Sequence, residues 1–183
     1  MSDVTPRGYQ IARARPEDLS LLPAIERAAA RLLRGHAPES VLNESTGADT
    51  LADAARHGRL WVALAGDAPV GFALVTMLAD DLPHLNEVDV EPSHGRRGLG
   101  TALIRTACEW ATASGFQILT LTTFRAVPWN LPFYARLGFV EIPRDLLRPE
   151  LAAVVADETA RGLAPEARAV MAYSCRASPP GRK

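Results

Sequence analysis

Apolar and polar positions trade places along this chain with two different periods, and the switches between them outline alternating strands and helices. Residues 9–14 alternate apolar and polar, which predicts a first strand. Pro16, Glu17 and Asp18 then carry first-turn helix chemistry, and Leu22, Ile25, Ala29, Leu32 and Leu33 follow at helical spacing, with Pro23 marking a broken or late start. Residues 34–46 read as loop, and a short alanine-rich helix follows over 49–57. The runs 59–65 and 69–77 are β-rich and joined by Gly66-Asp67-Ala68, a hairpin signal. His84 to Glu91 predicts a further strand stopped by Pro92. Counting by two along it puts Leu85, Glu87 and Asp89 on one face, and Asn86, Val88 and Val90 on the other.

The second half reads as cleanly. A helix of about fifteen residues follows Gly100, with Leu103, Ala107, Trp110 and Ala111 as its apolar stripe, Ile104 and Cys108 beside it, and Gly115 as its cap. Residues 117–123 are β-rich. Asn130 as N-cap with Pro132 in the first turn opens a short helix that stops at Gly138. A strand at 139–142, a helix at 149–161 and a strand at 167–174 follow, and 178–183 reads as a frayed, disordered tail. With no internal repeat or linker, the chain is expected to form a single α/β domain over 1–183 around a mixed sheet.

Composition narrows the function. The chain has 183 residues, 48% hydrophobic and 22% charged, with a formal net charge of -1. A nucleic-acid binder draws affinity from neutralising phosphates and carries a basic surplus, so no nucleic-acid partner is expected. No apolar run approaches the ~20 residues that span a bilayer, and the start lacks a signal-peptide profile, so a cytoplasmic protein without a membrane partner is expected. Cys108 and Cys175 make neither a disulfide framework nor a metal spacing, and His36, His57, His84 and His94 are scattered, so no metal is expected. The only lysine is Lys183, which excludes a Walker A phosphate loop and a Schiff-base lysine. The Ala/Arg bias suggests a bacterial genome rich in GC.

One stretch carries chemistry. Ser93-His94-Gly95-Arg96-Arg97-Gly98-Leu99-Gly100 joins a strand to a helix N-terminus. The first N–H groups of a helix lack intrahelical acceptors and point outward, where the dipole favours an anion. Gly98 and Gly100 let backbone approach a phosphate, Thr101 adds a hydroxyl, and Arg96 and Arg97 add charge; the plainer alternative is a tight turn with two solvated arginines. A dinucleotide fingerprint is missing, because Leu103 stands where the third small residue belongs and no acid lies near 119–123.

The run Leu85-Asn86-Glu87-Val88-Asp89-Val90-Glu91-Pro92, followed by Gly95 to Gly100 and an amphipathic helix, resembles the acetyl-CoA-binding motif of the GNAT superfamily of N-acetyltransferases, Gln/Arg-x-x-Gly-x-Gly/Ala. The second hallmark, an Asn, an aromatic pair and Leu-Gly-Phe, appears as Asn130-Leu131-Pro132-Phe133-Tyr134-Ala135-Arg136-Leu137-Gly138-Phe139. Gly95 departs from the pattern, standing where Gln or Arg is usual; it still offers a backbone N–H, with Arg96 and Arg97 beside it.

The resemblance implies a GNAT fold, a mixed central sheet of about seven strands flanked by helices, with acetyl-CoA as co-substrate and no metal. It implies that Val88, Asp89 and Val90 hold the pantetheine arm from a strand that splays from its neighbour. Gly95, Arg96, Arg97, Gly98, Leu99, Gly100 and Thr101 would receive the pyrophosphate, Asn130 would meet the pantetheine, and Tyr134 would protonate the departing thiolate. The base is open among Glu87, taken first, Asp89 and Glu26, the last placed to line an acceptor pocket on the edge of its helix stripe. Glu26 and Glu87 would bind the acceptor, and Asp80 and Asp81 would add to an acidic approach. Trp129 and Phe124 either wall the acceptor site or simply pack. The implied activity is acetyl transfer to a primary amine of a small molecule or peptide in a ternary complex. A non-catalytic acyl-CoA-binding domain of the same fold is the alternative, and a domain without a ligand is a weaker third. A homodimer is the commonest assembly for such a chain.

Overall fold

The computed structural model describes residues 5–175; the tail expected at 178–183 lies outside the described residues. In chain order the elements are β1 (Gln10–Arg13), α1 (Leu22–Ala30), α2 (Glu39–Leu42), α3 (Ala48–Arg56), β2 (Leu60–Ala65), β3 (Ala68–Ala79), β4 (Leu82–Val90), α4 (Leu99–Ala113), β5 (Ile118–Phe124), α5 (Asn130–Arg136), β6 (Phe139–Glu141), α6 (Pro149–Ala160) and β7 (Arg168–Ser174), with short 3-10 turns between. The strands form one seven-stranded sheet in the order β1-β2-β3-β4-β5-β7-β6. Neighbours are antiparallel except β4 and β5.

Two apolar layers sandwich the sheet. On one face α4 buries Leu99, Leu103, Ile104, Ala107 and Ala111 against Ala73, Val75, Leu85, Leu119, Leu121 and Met171, and α5 adds Leu131, Phe133 and Tyr134 at its margin. On the other, α1 and α3 bury Leu22, Ile25, Leu51 and Ala54 against Leu60, Val62, Phe72 and Leu74. Helix α6 covers that second face further along, through Leu151 against Leu82 and Val170. The stripe read for α4 is the buried one, and its stop is a left-handed Gly115 (φ 82). Pro23 sits in the first turn of α1, behind a 3-10 turn at Pro16–Asp18, so the helix does start late.

Three expectations change. The stretch expected as loop over 34–46 contains α2, a single turn too short to leave a period. Asn130 is not the cap of α5; Trp129 occupies that position and Asn130 is already helical. The strict alternation along β4 fails at Asn86: Leu74 faces Glu87 but Val75 faces Leu85, so Asn86 is an extra, bulged residue. Leu85, Val88 and Val90 therefore share the α4 face, while Glu87 and Asp89 lie opposite Leu74 and Phe72 on the α1 face.

Candidate functional site

Strand β4 is bonded to β3 along nearly its whole length, but its parallel register with β5 is the single pair His84↔Thr120. Beyond His84 the two strands part, and the β5-side backbone groups of residues 86–90 are left without a strand partner. A cleft of about 1180 Å³ opens at this gap. Its walls come from α1, the 32–47 segment, β4, the glycine turn, the end of β5, α5 and the end of α6.

At one end stands the strand-to-helix turn. Arg96 (φ 58) and Gly98 (φ 84) are both left-handed, a conformation that costs a non-glycine residue roughly 1–2 kcal/mol. Alternating hands along a turn point successive N–H groups to the same side, the geometry of an anion nest. The first intrahelical bond of α4 is Ala102 N–H to the Gly98 carbonyl at 3.0 Å, so the N–H groups of Leu99, Gly100 and Thr101 precede it. A Cβ on Gly100 would stand 3.8 Å from the Phe133 ring, in the space between the turn and α5.

The sequence expectations for this turn divide. Gly95, Arg96 and Gly100 line the cleft, as do Val88, Asp89, Val90 and Asn130. Gly95 does not present its N–H outward, because that group donates to the Pro92 carbonyl at 3.1 Å. Leu99 has its side chain in the core and offers only backbone. Arg97 reaches back toward the Ser93 carbonyl, 3.5 Å away. Arg97, Gly98 and Thr101 are not part of the lining; Arg97 and Gly98 are exposed and Thr101 is half-buried.

In the middle of the cleft Glu87, Asp89 and Tyr134 come together, with Glu26 on the facing wall. Asp89 Oδ2 is buried and has no hydrogen-bond partner among the described residues. Burial raises the carboxyl pKa of Asp89, and the negative Glu26 adds to it; burial and then Asp89 and Glu26 push Glu87 well above the carboxylate range. Two such carboxyls titrate as a pair. Burial, then the charges of Asp89 and Glu87, raise the Tyr134 hydroxyl, so it stays protonated. Its ring packs edge-on against Phe133 and Phe139. Glu26 accepts the Thr46 N–H at both oxygens (3.0 and 2.9 Å), and burial raises its pKa as well.

The far end was not singled out in the sequence. Glu158 of α6 and Arg168 of β7 form a buried ion pair at 2.7 Å, and both contact the Thr122 hydroxyl. Arg168 lies over the Phe124 ring, 4.3 Å from its centroid. His84 is buried in β4, hydrogen-bonded to Thr120 Oγ1 at 2.9 Å, and desolvation pushes it down to about 4, so it is neutral. Asp80 and Asp81 do not join the acidic approach. They form the β3–β4 turn away from the cleft, and Asp81 is held by Arg148 at 2.9 and 3.0 Å. Trp129 and Phe124 both line the cleft, and Cys108 is core, its thiol pushed up to about 12 by burial.

Comparison with known proteins adds to this geometry. A family model described as Acetyltransferase (GNAT) family matches residues 26–139. An uncharacterized N-acetyltransferase of Methanocaldococcus jannaschii is 34% identical over 79 residues, 40% of this chain and 35% of the relative. A glucosamine 6-phosphate N-acetyltransferase of Trypanosoma brucei brucei is 39% identical over 56 residues, 31% of this chain and 36% of that protein. The matches thus span about a third of these curated relatives. Among solved structures, the PaiA N-acetyltransferase of Thermoplasma acidophilum in complex with coenzyme A superposes with a TM-score of 0.69 at 16% identity, covering 91% of this chain and 98% of that one. The N-acetylglutamate synthase of Neisseria gonorrhoeae, complexed with coenzyme A and N-acetyl-glutamate, gives 0.68 at 16% identity over 92% of this chain and 35% of that one.

Proposed function

The chain belongs to the GNAT acetyltransferase family, and from that premise we propose that it transfers the acetyl group of acetyl-CoA directly to a primary amine. The observation that carries the reading is the meeting of Tyr134 with the Glu87–Asp89 pair at the gap where β4 leaves β5.

The residues present suit the donor. The nest at residues 96–101 offers N–H groups and the Arg96 charge to a pyrophosphate. The free edge of β4 over 86–90 offers an extended thioester arm the pairing that β5 withholds, with Val88 and Val90 beneath it and Asn130 opposite. Bound there, acetyl-CoA supplies the activated acetyl group.

The chain's own part is proton handling. An amine attacks only when neutral, and a base with a raised pKa takes its proton most effectively near neutral pH. The Glu87–Asp89 pair is such a base, and the unpartnered Asp89 oxygen is free to accept. As the nitrogen–carbon bond forms and the carbon–sulfur bond breaks, Tyr134 gives its proton to the departing sulfur. The amine's surplus proton goes to the carboxyl pair, which restores the tyrosine. Glu26 draws the acceptor in.

Acetyl-CoA thermal shift together with thiol release over a broad amine panel tests the reading. A ligand at ~100 times its Kd stabilises by about 2.7 kcal/mol. A shift with turnover supports transfer; a shift with no turnover for any amine would reduce the protein to a binder.

A further inference from the structure

We propose that the acceptor is a small diamine or longer oligoamine held wholly within the cleft, one amine at the Glu87–Asp89 pair and a second, protonated amine at Glu26. The inference rests on the acetyl-transfer reading above and adds the substrate class.

Charge neutralisation inside the cleft leads to it. Of the acidic residues in its wall, Glu44 and Asp157 flank Arg161 at 3.0 and 3.2 Å, and Glu158 pairs with Arg168. Among the described residues Glu26, Glu87 and Asp89 are left without an ion pair, Arg161 and Arg168 acting on Glu87 only from a distance while paired elsewhere. The remaining cation of the lining, Arg96, belongs to the glycine turn. Arg27, next in sequence to Glu26, turns its guanidinium to the Ser45 hydroxyl at 3.3 Å. An isolated buried carboxylate is costly, and the orphaned Asp89 Oδ2 marks a place where a donor is missing. The carboxylates also stand on two different walls: the pair on β4, and Glu26 on α1, fixed by Thr46. A monoamine answers one wall only, and an amino acid brings a carboxylate into an already anionic space.

The roof sets the size. Arg161 and Glu44, far apart in sequence, join the end of α6 to the segment after α2. Leu163 packs with Leu33, Ala37 and Val41, and His36 stands edge-on to Trp129 with centroids 6.3 Å apart. The 33–44 segment is thus tied down from two sides, and a folded protein's lysine or terminus meets a wall where a small molecule does not.

Isothermal titration of the CoA-loaded full chain with butane-diamine, butylamine, γ-aminobutyrate and a short lysine peptide, alongside kcat/KM for acetyl transfer to each, tests this. A second charge-assisted contact predicts butane-diamine ahead of butylamine by about 10–100-fold in both readouts, with γ-aminobutyrate and the peptide weaker still. Glu26→Gln should draw the diamine-to-monoamine ratio toward one. Equal or better handling of butylamine, γ-aminobutyrate or the peptide overturns the inference, as does an unchanged ratio in Glu26→Gln. Should no amine be acetylated, the transfer reading fails by itself, and the titrations still decide what the cleft selects.

Discussion

The acid role proposed for Tyr134 needs a protonated hydroxyl, and burial, then the charges of Asp89 and Glu87, hold it in that form. Tyr134→Phe keeps the ring against Phe133 and Phe139 but removes the proton. It should lower kcat by about 10²–10⁴, the usual worth of a positioned general acid, and leave the Kd for acetyl-CoA nearly unchanged. A fully active Phe variant would remove the acid role. Glu87→Gln and Asp89→Asn should each cut turnover strongly, because either breaks the shared-proton pair. In the parent enzyme kcat/KM should climb with pH across the neutral range as the pair, raised by burial and by the neighbouring Glu26, gives up its proton. A flat profile would point to another base. The donor motif, Tyr134 and the three carboxylates were legible because motif spacing and residue type travel with the sequence. Their grouping was not: His84 reads as one scattered histidine until its strand is seen to be buried, and Asp81 reads as part of the approach until Arg148, distant in the chain, claims it.

Helix α4 and its turn show what a period can and cannot reveal. Seven of its residues are buried, and the apolar stripe announced five of them, missing Leu99 and Ala102 in the first turn. The left-handed Arg96 left no trace in residue type, and the outward N–H expected of Gly95 was lost to a local Pro92 bond. Gly100→Asp should abolish the acetyl-CoA thermal shift by setting a carboxylate against the pyrophosphate, while a folded variant that binds as tightly as the parent would refute the placement. Gly98→Ala should cost about 1–2 kcal/mol in urea unfolding, since φ 84 suits glycine alone and space is not short there. Helix α6 held a readable clue that periodicity undervalues: Leu151, Val155 and Glu158 share one face, so a carboxylate continues a packed stripe. Arg168→Met strands that carboxylate at 4% exposure and should destabilise by about 3–5 kcal/mol. Adding Glu158→Gln should recover much of the loss; a single variant as stable as the parent would show the pair to be idle.

At the scale of the whole molecule, the cleft lowers stability in a pH-dependent way. Glu26, Glu87 and Asp89 all hold protons more tightly folded than unfolded. Their contribution is therefore most favourable below the ordinary carboxylate range and declines as pH rises toward their raised folded values. Asp89→Asn, for all its loss of turnover, should raise Tm at alkaline pH, where 1 kcal/mol corresponds to about 2–4 °C for a domain of this size. The advantage should shrink on acidification; a variant melting at or below the parent at alkaline pH would count against the charge repulsion. The sheet, its helices and their order followed from the pattern of apolar positions, but not the bulge at Asn86, since period-two counting assumes an unbroken ladder. That residue works like a frame shift in a printed line. Before it, odd-numbered Leu85 faces α4; after it the parity is reversed, so that Val88 and Val90 face α4 and Glu87 and Asp89 face α1. Flattening the bulge with Asn86 kept in the ladder would swap the two scripts, pressing Glu87 and Asp89 into oil beneath α4 or Leu85 out of it, whereas deleting Asn86 would leave Leu85 and Val88 two apart and both facing α4. Looping one residue out of the ladder is what lets this strand keep Leu85 and its valines on one side and its carboxylates on the other.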